Sequence, residues 1–409
     1  MIKCAVIAFP GNNCEIETAR AAKRNGFKSQ IFRWNQKKDL REFKPQFIIL
    51  PGGFSFEDRG RSGLLASKEP IFDYLREVAQ TGTIILGICN GAQMVVESGL
   101  IPAEIALAKN IRRDETGHVL GTGFFNSWVS LKPENKNTVF TKYLEKRVLT
   151  VPVAHGEGRF VSRDEKVLKK LKEGSLAAFR YCDESGKVSD SFPITPNGSN
   201  FATAAICNKE GTVMAMMPHP ERFFDNFDGD EIFQSIKKSI EVGEVVKKVE
   251  IRDFATLLQQ EILPIKKKEK TLWLEKKLII TDNENFSVKS TAKNICGKDI
   301  SLEKTIGFEI TGDVDEKATI GSGLIYNESK EFLVDDVFAS TKESVYVSDF
   351  EDDEADHLAD QLKEQLGKDI KVKIYKGWHF NKDTDKKEIE TLIGSRLFAN
   401  PNSAQLFKK

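Results

Sequence analysis

Along residues 1–125, short apolar runs alternate with stretches whose apolar positions return every three to four residues. Ile2–Phe9, Gln30–Trp34, Phe47–Leu50 and Thr83–Ile88 are such runs and predict strands. The continuous character of Ile2–Phe9 suits a strand covered on both faces, as in a parallel sheet. Glu15–Asn25 predicts a helix closed by Gly26, and Ile71, Phe72, Leu75 and Val78 share one face of another. A third helix leaves the Gly87–Gly91 turn and runs to about Ser98. Repeated strand–helix units imply a mostly parallel sheet flanked by helices, with its sites at the carboxyl ends of the strands. Pro51–Gly53 and Cys89 fall at such ends.

The pattern then becomes richer in strands: Phe124–Leu131, Val148–Val153, Ala177–Cys182, Ala202–Cys207 and Thr212–Met217. Asp228–Val242 reads as a closing helix, which places the end of the first domain, 1–245, near residue 245. Residues 246–270 are expected to be a linker, and 271–409 a smaller α+β extension. In the remainder of the chain, Lys266–Lys268 and Lys276–Lys277 bracket a short apolar stretch, Glu351–Asp356 is strongly acidic, Glu354–Gly367 predicts an amphipathic helix and Lys371–Tyr375 a strand. Its sequence shows no catalytic constellation and no simple internal repeat.

Composition narrows the function classes. The 409 residues hold 61 basic and 61 acidic side chains, a formal net charge of zero, which argues against nucleic acid or a membrane surface as the main partner. No stretch approaches the ~20 apolar residues of a membrane span, and the start reads as a strand followed by a turn rather than a leader. The expectation is a soluble, cytoplasmic protein. The six cysteines are scattered with no Cys-x-x-Cys pair, so no metal site is expected.

One cysteine has a different setting. Gly87–Ile88–Cys89–Asn90–Gly91 lies between a buried strand and a helix, the cysteine form of a nucleophile elbow. The turn is sharp, the flanking glycines keep side chains off it, and the helix N-terminus favours the thiolate. The N–H of Asn90 would point toward a forming oxyanion, and Gly53 of the Pro51–Gly52–Gly53–Phe54 turn could supply a second donor. Two histidines compete for the role of base. His219 sits between Pro218 and Pro220 with Glu221 two residues on; His155 has the same spacing to Glu157. The spacing alone leaves both open.

These residues resemble the class I glutamine amidotransferases and, within them, the glutaminase-subunit family of phosphoribosylformylglycinamidine synthase. The resemblance rests on "FPGNNCE", "LPGGFSFEDRGRSG", "GICNGAQ", "VPVAHGEGRF", "RYCD", "PNGS" and "MMPHPER", spread over the first ~240 residues. It implies the class I glutamine amidotransferase fold, an α/β architecture with a flavodoxin-like mostly parallel sheet and flanking helices. It implies Cys89 as nucleophile, His219 as base, Glu221 as its orienting acid, Gly53 and Asn90 as oxyanion donors, and Gln93 as a residue that helps hold the substrate glutamine; His155 then belongs to a subfamily motif. It also implies that ammonia passes to a large synthetase subunit (PurL-like), where ATP and magnesium bind, so that this chain itself binds no cofactor. No Walker-type loop is present in the sequence. Glu15 and Glu57–Asp58–Arg59 depart from the family pattern, in loops expected near the partner. Ala292–Gly297, "ISLEKTIGFEI" and Leu397–Pro401 resemble the small accessory subunit of the same complex (PurS-like), which makes the extension a candidate assembly module. The competing readings are another amidotransferase or cysteine hydrolase of this fold, and a non-enzymatic assembly protein.

Overall fold

The computed structural model describes residues 1–101, 104–222, 228–243, 261–265, 271–334 and 342–409. The chain divides into two compact units, Met1–Leu257 and Leu258–Lys409. The boundary expected near residue 245 falls in 244–260, outside the described residues.

The first unit is built on a nine-stranded sheet. Its strands are β1 (Lys3–Ala8), β2 (Lys28–Arg33), β3 (Phe47–Leu50), β4 (Ile84–Ile88), β5 (Phe125–Pro133), β6 (Leu149–His155), β7 (Ala177–Cys182), β8 (Thr203–Cys207) and β9 (Val213–Met216). They lie in the order β2-β1-β3-β4-β9-β8-β7-β5-β6. From β2 to β9 every pairing is parallel. From β9 to β6 every pairing is antiparallel. The parallel character expected for the sheet therefore belongs to one half. In the other, direct connections such as the Asn208–Thr212 turn replace crossover helices, and chain reversal without a crossover gives antiparallel neighbours.

Residues of β3 and β4 are buried on both faces, as their continuous apolar runs require. The helix Glu15–Arg24 buries Thr18, Ala19, Ala21 and Ala22, small residues that let its backbone approach the sheet, and Gly26 follows it at φ +84°. The helix Ile71–Gln80 buries Ile71, Phe72 and Leu75. Three helices were not legible in the apolar pattern: Lys37–Phe43 buries only Leu40, Glu165–Lys172 only Val167 and Leu171, and Leu64–Ser67 is a single buried turn. The chain turns outward from β1 to β2 and then crosses to β3 on the other side. The loops after β1 and β3 diverge at this switch point and meet again as a bridge between Asn12 and Gly53.

The second unit is a seven-stranded sheet with helices: β10 (Ile262–Pro264), β11 (Thr271–Leu278), β12 (Leu302–Gly312), β13 (Glu331–Leu333), β14 (Ser344–Asp349), β15 (Ile370–Phe380) and β16 (Ala404–Lys408), in the order β10-β16-β14-β15-β12-β11-β13. Two sequence expectations are corrected here. Part of the expected linker 246–270 is a strand, β10, paired with β16; the rest of that linker lies outside the described residues except Glu261 and Ile265. The second correction concerns repetition: the unit is a tandem duplication. Each half runs strand, helix, strand, helix, strand, and in each the first strand lies between the other two. The first helices, Asn283–Cys296 and Asp353–Leu366, are both 14 residues long. Asp282 and Asp352 cap their N-termini, and Gly297 and Gly367 close them in the left-handed conformation. Gly297–Lys298–Asp299–Ile300 is repeated as Gly367–Lys368–Asp369–Ile370, and Ile320–Gly321–Ser322 as Ile393–Gly394–Ser395. Asn327 and Asn400 then build the same turn: Oδ1 of Asn327 accepts from Ser329 N at 3.0 Å, and that of Asn400 from Asn402 N at 3.1 Å. The halves join where β12 and β15 pair antiparallel, with Thr305 opposite Gly377 and, reciprocally, Gly307 opposite Tyr375. The repeat hid from the sequence because what it keeps is caps, turns and period, while most side chains between them differ.

Candidate active site

Cys89 follows β4 directly and begins the helix Asn90–Ser98. Its backbone is held at φ 51° and ψ −108°, a strained conformation for a residue with a side chain. Sterics show why its neighbours are glycines. A Cβ on Gly91 would lie 1.9 Å from the Leu50 carbonyl oxygen, and one on Gly87 would lie 2.4 Å from that of Gly91. The elbow thus fits between β3 and β4 only without side chains at these two positions.

His219 lies just beyond the carboxyl end of β9, its N–H donating to the Pro152 carbonyl at 2.8 Å. Nδ1 is 2.7 Å from Glu221 Oε1, and both side chains are buried. Nε2 makes no hydrogen bond and is left for the Cys89 side of the ring. Burial alone would push the imidazole toward its neutral form. The Glu221 carboxylate and then Cys89 outweigh it and raise its pKa to about 10, which favours the imidazolium. His219 Cε1, Cys14 Sγ and the Cys89 Cβ all converge on Gly52, where a Cβ would meet them at 2.8, 3.2 and 3.4 Å.

His155 ends β6 and is also buried, but nothing equivalent supports it. Asn110 donates to its Nδ1 at 3.2 Å, Nε2 has no partner, and burial followed by the charge on His219 drives its pKa down to about 3. Glu157 turns away, accepting from Ser62 N at 3.3 Å. Equal spacing in sequence therefore gives opposite outcomes: His219 has its carboxylate and His155 does not. His155 packs on Gly158, where a Cβ would come within 2.1 Å of the ring, and the Ala154 carbonyl lies 3.7 Å from Cys89 Sγ.

Gly53 has φ +129°, and a Cβ there would sit 2.6 Å from Asn12 Cα, so the turn admits only glycine. Asn90 is fully buried and its side chain ties three segments together: the loop after β1, the Ser55–Asp58 turn and its own helix. Oδ1 accepts from Ser55 N (3.0 Å) and Asn12 Nδ2 (3.4 Å); Nδ2 donates to Asp58 Oδ1 (3.2 Å) and Gln93 Oε1 (2.9 Å). Gln93 donates in turn to the Glu157 carbonyl at 2.6 Å, so protein groups hold its amide at both ends. Sequence reasoning used only the backbone of Asn90 and missed its side chain and Asn110; it set Asp58 near the partner and not against Asn90. Burial, then the charge on Glu157, lifts the Asp58 pKa to about 7. Phe56, Glu57 and Asp58 are consecutive residues at positive φ, so the departure from the family pattern sits in a strained turn at the site's edge.

Donor atoms of Cys14, His219 and Glu221 lie within 4.8 Å of one another. His219 Nδ1 and Glu221 Oε1 are engaged with each other, and burial and then the Glu221 charge raise the Cys14 pKa.

Fold and site together are those of a class I glutamine amidotransferase. Residues 1–247 match the CobB/CobQ-like glutamine amidotransferase domain, and the chain belongs to that family. It is 40% identical over 261 residues to phosphoribosylformylglycinamidine synthase subunit PurQ of Methanothrix thermoacetophila, covering 59% of this chain and 98% of that protein. It is 39% identical over 229 residues to the PurQ subunit of Aquifex aeolicus, covering 56% and 94%. Among solved structures it is similar to a chain of PurLQS from Thermotoga maritima, with 33% identity and TM-score 0.47, over 58% of this chain and 99% of that one. Among the described residues, no helix is long and apolar enough to cross a membrane.

Proposed function

We propose that this chain is the glutamine-hydrolysing component of phosphoribosylformylglycinamidine synthase and that Cys89, His219 and Glu221 carry the chemistry. The observation that supports it most is the His219–Glu221 pair, whose free Nε2 lies beside an elbow cysteine. The Cys89 thiolate attacks the side-chain amide carbon of glutamine. The oxygen becomes an oxyanion, within reach of the backbone N–H groups of Gly53 and Asn90. When the C–N bond breaks, His219 gives its proton to the departing ammonia. Water then attacks the thioester, His219 takes its proton, and glutamate leaves with the thiolate restored. Glu221 holds the ring in one orientation throughout. Gln93 acts on the substrate side through Asn90 and the Glu157 segment.

The ammonia passes to a large synthetase subunit (PurL-like). That subunit binds ATP and magnesium and converts formylglycinamide ribonucleotide to the amidine. The second unit serves as an accessory-subunit-like (PurS-like) assembly module carried in the same chain. The test measures glutamate release from glutamine by the wild type and by Cys89→Ser, with and without the synthetase, its ribonucleotide substrate and ATP. Release that the partner stimulates and the variant lacks, with amidine formed, is the expected result. Release indifferent to the partner would instead mark a stand-alone hydrolase, and no release from folded protein would mark an assembly protein.

A further inference from the structure

The duplication in the second unit makes one half a template for reading the other. In the C-terminal half the outer strand β16 is covered. β10 pairs with it in parallel, Ile262 beside Leu406, Leu263 beside Phe407 and Pro264 beside Lys408. The seal continues as Ile265 N donates to the Lys408 carbonyl at 2.9 Å, and Gln405 Nε2 to that of Glu261 at 2.7 Å. In the N-terminal half the equivalent outer strand is β13. It pairs with β11 on one side and ends the sheet on the other, with no further strand among the described residues. An open strand edge is a template for an extended segment from another chain.

The side chains along this edge differ between halves in the same sense. Ile279, Ile280, Phe286 and Phe332 are exposed, at 59%, 69%, 67% and 44%. They belong to one end of the half: Ile279 N donates to the Lys330 carbonyl at 2.9 Å, Phe332 lies opposite Lys277, and Phe286 sits in the first turn of the helix that follows Ile280. Three of the equivalent positions in the C-terminal half are polar, Glu351, Asp356 and Gln405, and the fourth is Phe350. Exposed apolar groups clustered beside an unpaired edge mark an interaction surface.

We propose that the open β13 edge, with Ile279, Ile280, Phe286 and Phe332, is where the synthetase docks, by laying an extended aliphatic segment alongside Leu333. The occupant's chemistry is argued from the covered half, where the Glu261–Ile265 segment, with three aliphatic residues and one proline, fills the equivalent edge. This inference rests on the assignment of a synthetase partner made above.

The test uses the full chain and the synthetase subunit. Ile280→Glu combined with Phe332→Lys, and separately Phe286→Ser, are compared with Gln405→Lys in the covered half. Sedimentation gives the affinity, glutamine hydrolysis without partner gives basal activity, and thermal melting checks the fold. The expected result is synthetase binding at least tenfold weaker in both edge variants, with basal hydrolysis and melting unchanged and Gln405→Lys close to wild type. Folded edge variants that bind the synthetase as tightly as wild type would overturn the proposal while leaving the functional assignment intact. So would a wild-type self-association that the edge variants abolish without touching synthetase binding. Wild type that does not bind the synthetase at all would remove the functional assignment and this inference together.

Discussion

Each unit buries a cluster of histidine, carboxylate and small polar groups, and the two clusters differ in what they leave unmet. In the first unit, His219 Nε2, Glu221 Oε2 and His155 Nε2 are buried without a hydrogen-bond partner. In the second, Ser344 Oγ and Thr305 Oγ1 lie 2.8 Å from Nδ1 and Nε2 of His379, so both ring nitrogens are engaged. Glu275 there accepts from Trp273 Nε1, Tyr346 Oη and Thr305 Oγ1 at 3.0, 2.9 and 2.8 Å. Burial would raise the Glu275 pKa, but the bonds from His379, Thr305 and Tyr346 hold it below the ordinary carboxylate range. Ser344, His379 and Glu275 could be mistaken for a hydrolytic triad from their residue types. In the second unit, however, His379, Glu275 and Thr305 hold one another and bind Trp273 and Tyr346. Unmet polar groups cost stability, and that cost is tolerated where chemistry needs them.

The comparison breaks most sharply at the nucleophile. Cys89→Ala should lower glutamine hydrolysis by about 10^4- to 10^6-fold while the protein melts near the wild-type temperature. Glu221→Gln should cost on the order of 10^4-fold in kcat with little change in KM, because the imidazolium loses its orienting charge. His379→Ala should do the reverse: hydrolysis without partner stays within about twofold, and denaturant titration shows the second unit destabilised by about 3 kcal/mol, since Glu275 loses a buried partner. The last prediction concerns Asp58 and bears on stability against pH, not on turnover. Its raised pKa means that the folded protein binds more protons than the unfolded chain between pH 3.8 and about 7, so stability falls as pH rises through that window and levels above it. Asp58→Asn should flatten that slope in melting curves taken across the window; an unchanged slope would remove Asp58 as its source.

How far the sequence revealed this contrast depends on the kind of signal. The parallel strands were legible because β3 and β4 are buried on both faces, and the elbow because Gly87 and Gly91 have no steric alternative. The choice between His155 and His219 was not legible from spacing, since it turns on where Glu157 and Glu221 point once β6 and β9 bring both histidines to one place. Asn90 and Asn110 were illegible for a related reason: an asparagine's bonds to distant loops leave no local pattern. In the second unit the helix Asp353–Leu366 showed its period, whereas β11, with Lys276, Lys277 and Glu275 among its residues, hides a buried carboxylate behind a charged composition.

Fusion of the two halves of the second unit changes the order of their association. Two separate copies meeting through β12 and β15 would pair in a bimolecular reaction, and the fraction assembled would fall on dilution. Joined in one chain, they meet at the effective concentration set by the 335–343 connection, whatever the abundance of the protein. The central ladder from Leu302–Phe380 to Gly312–Ile370 should therefore form at any expression level, with a melting temperature independent of protein concentration.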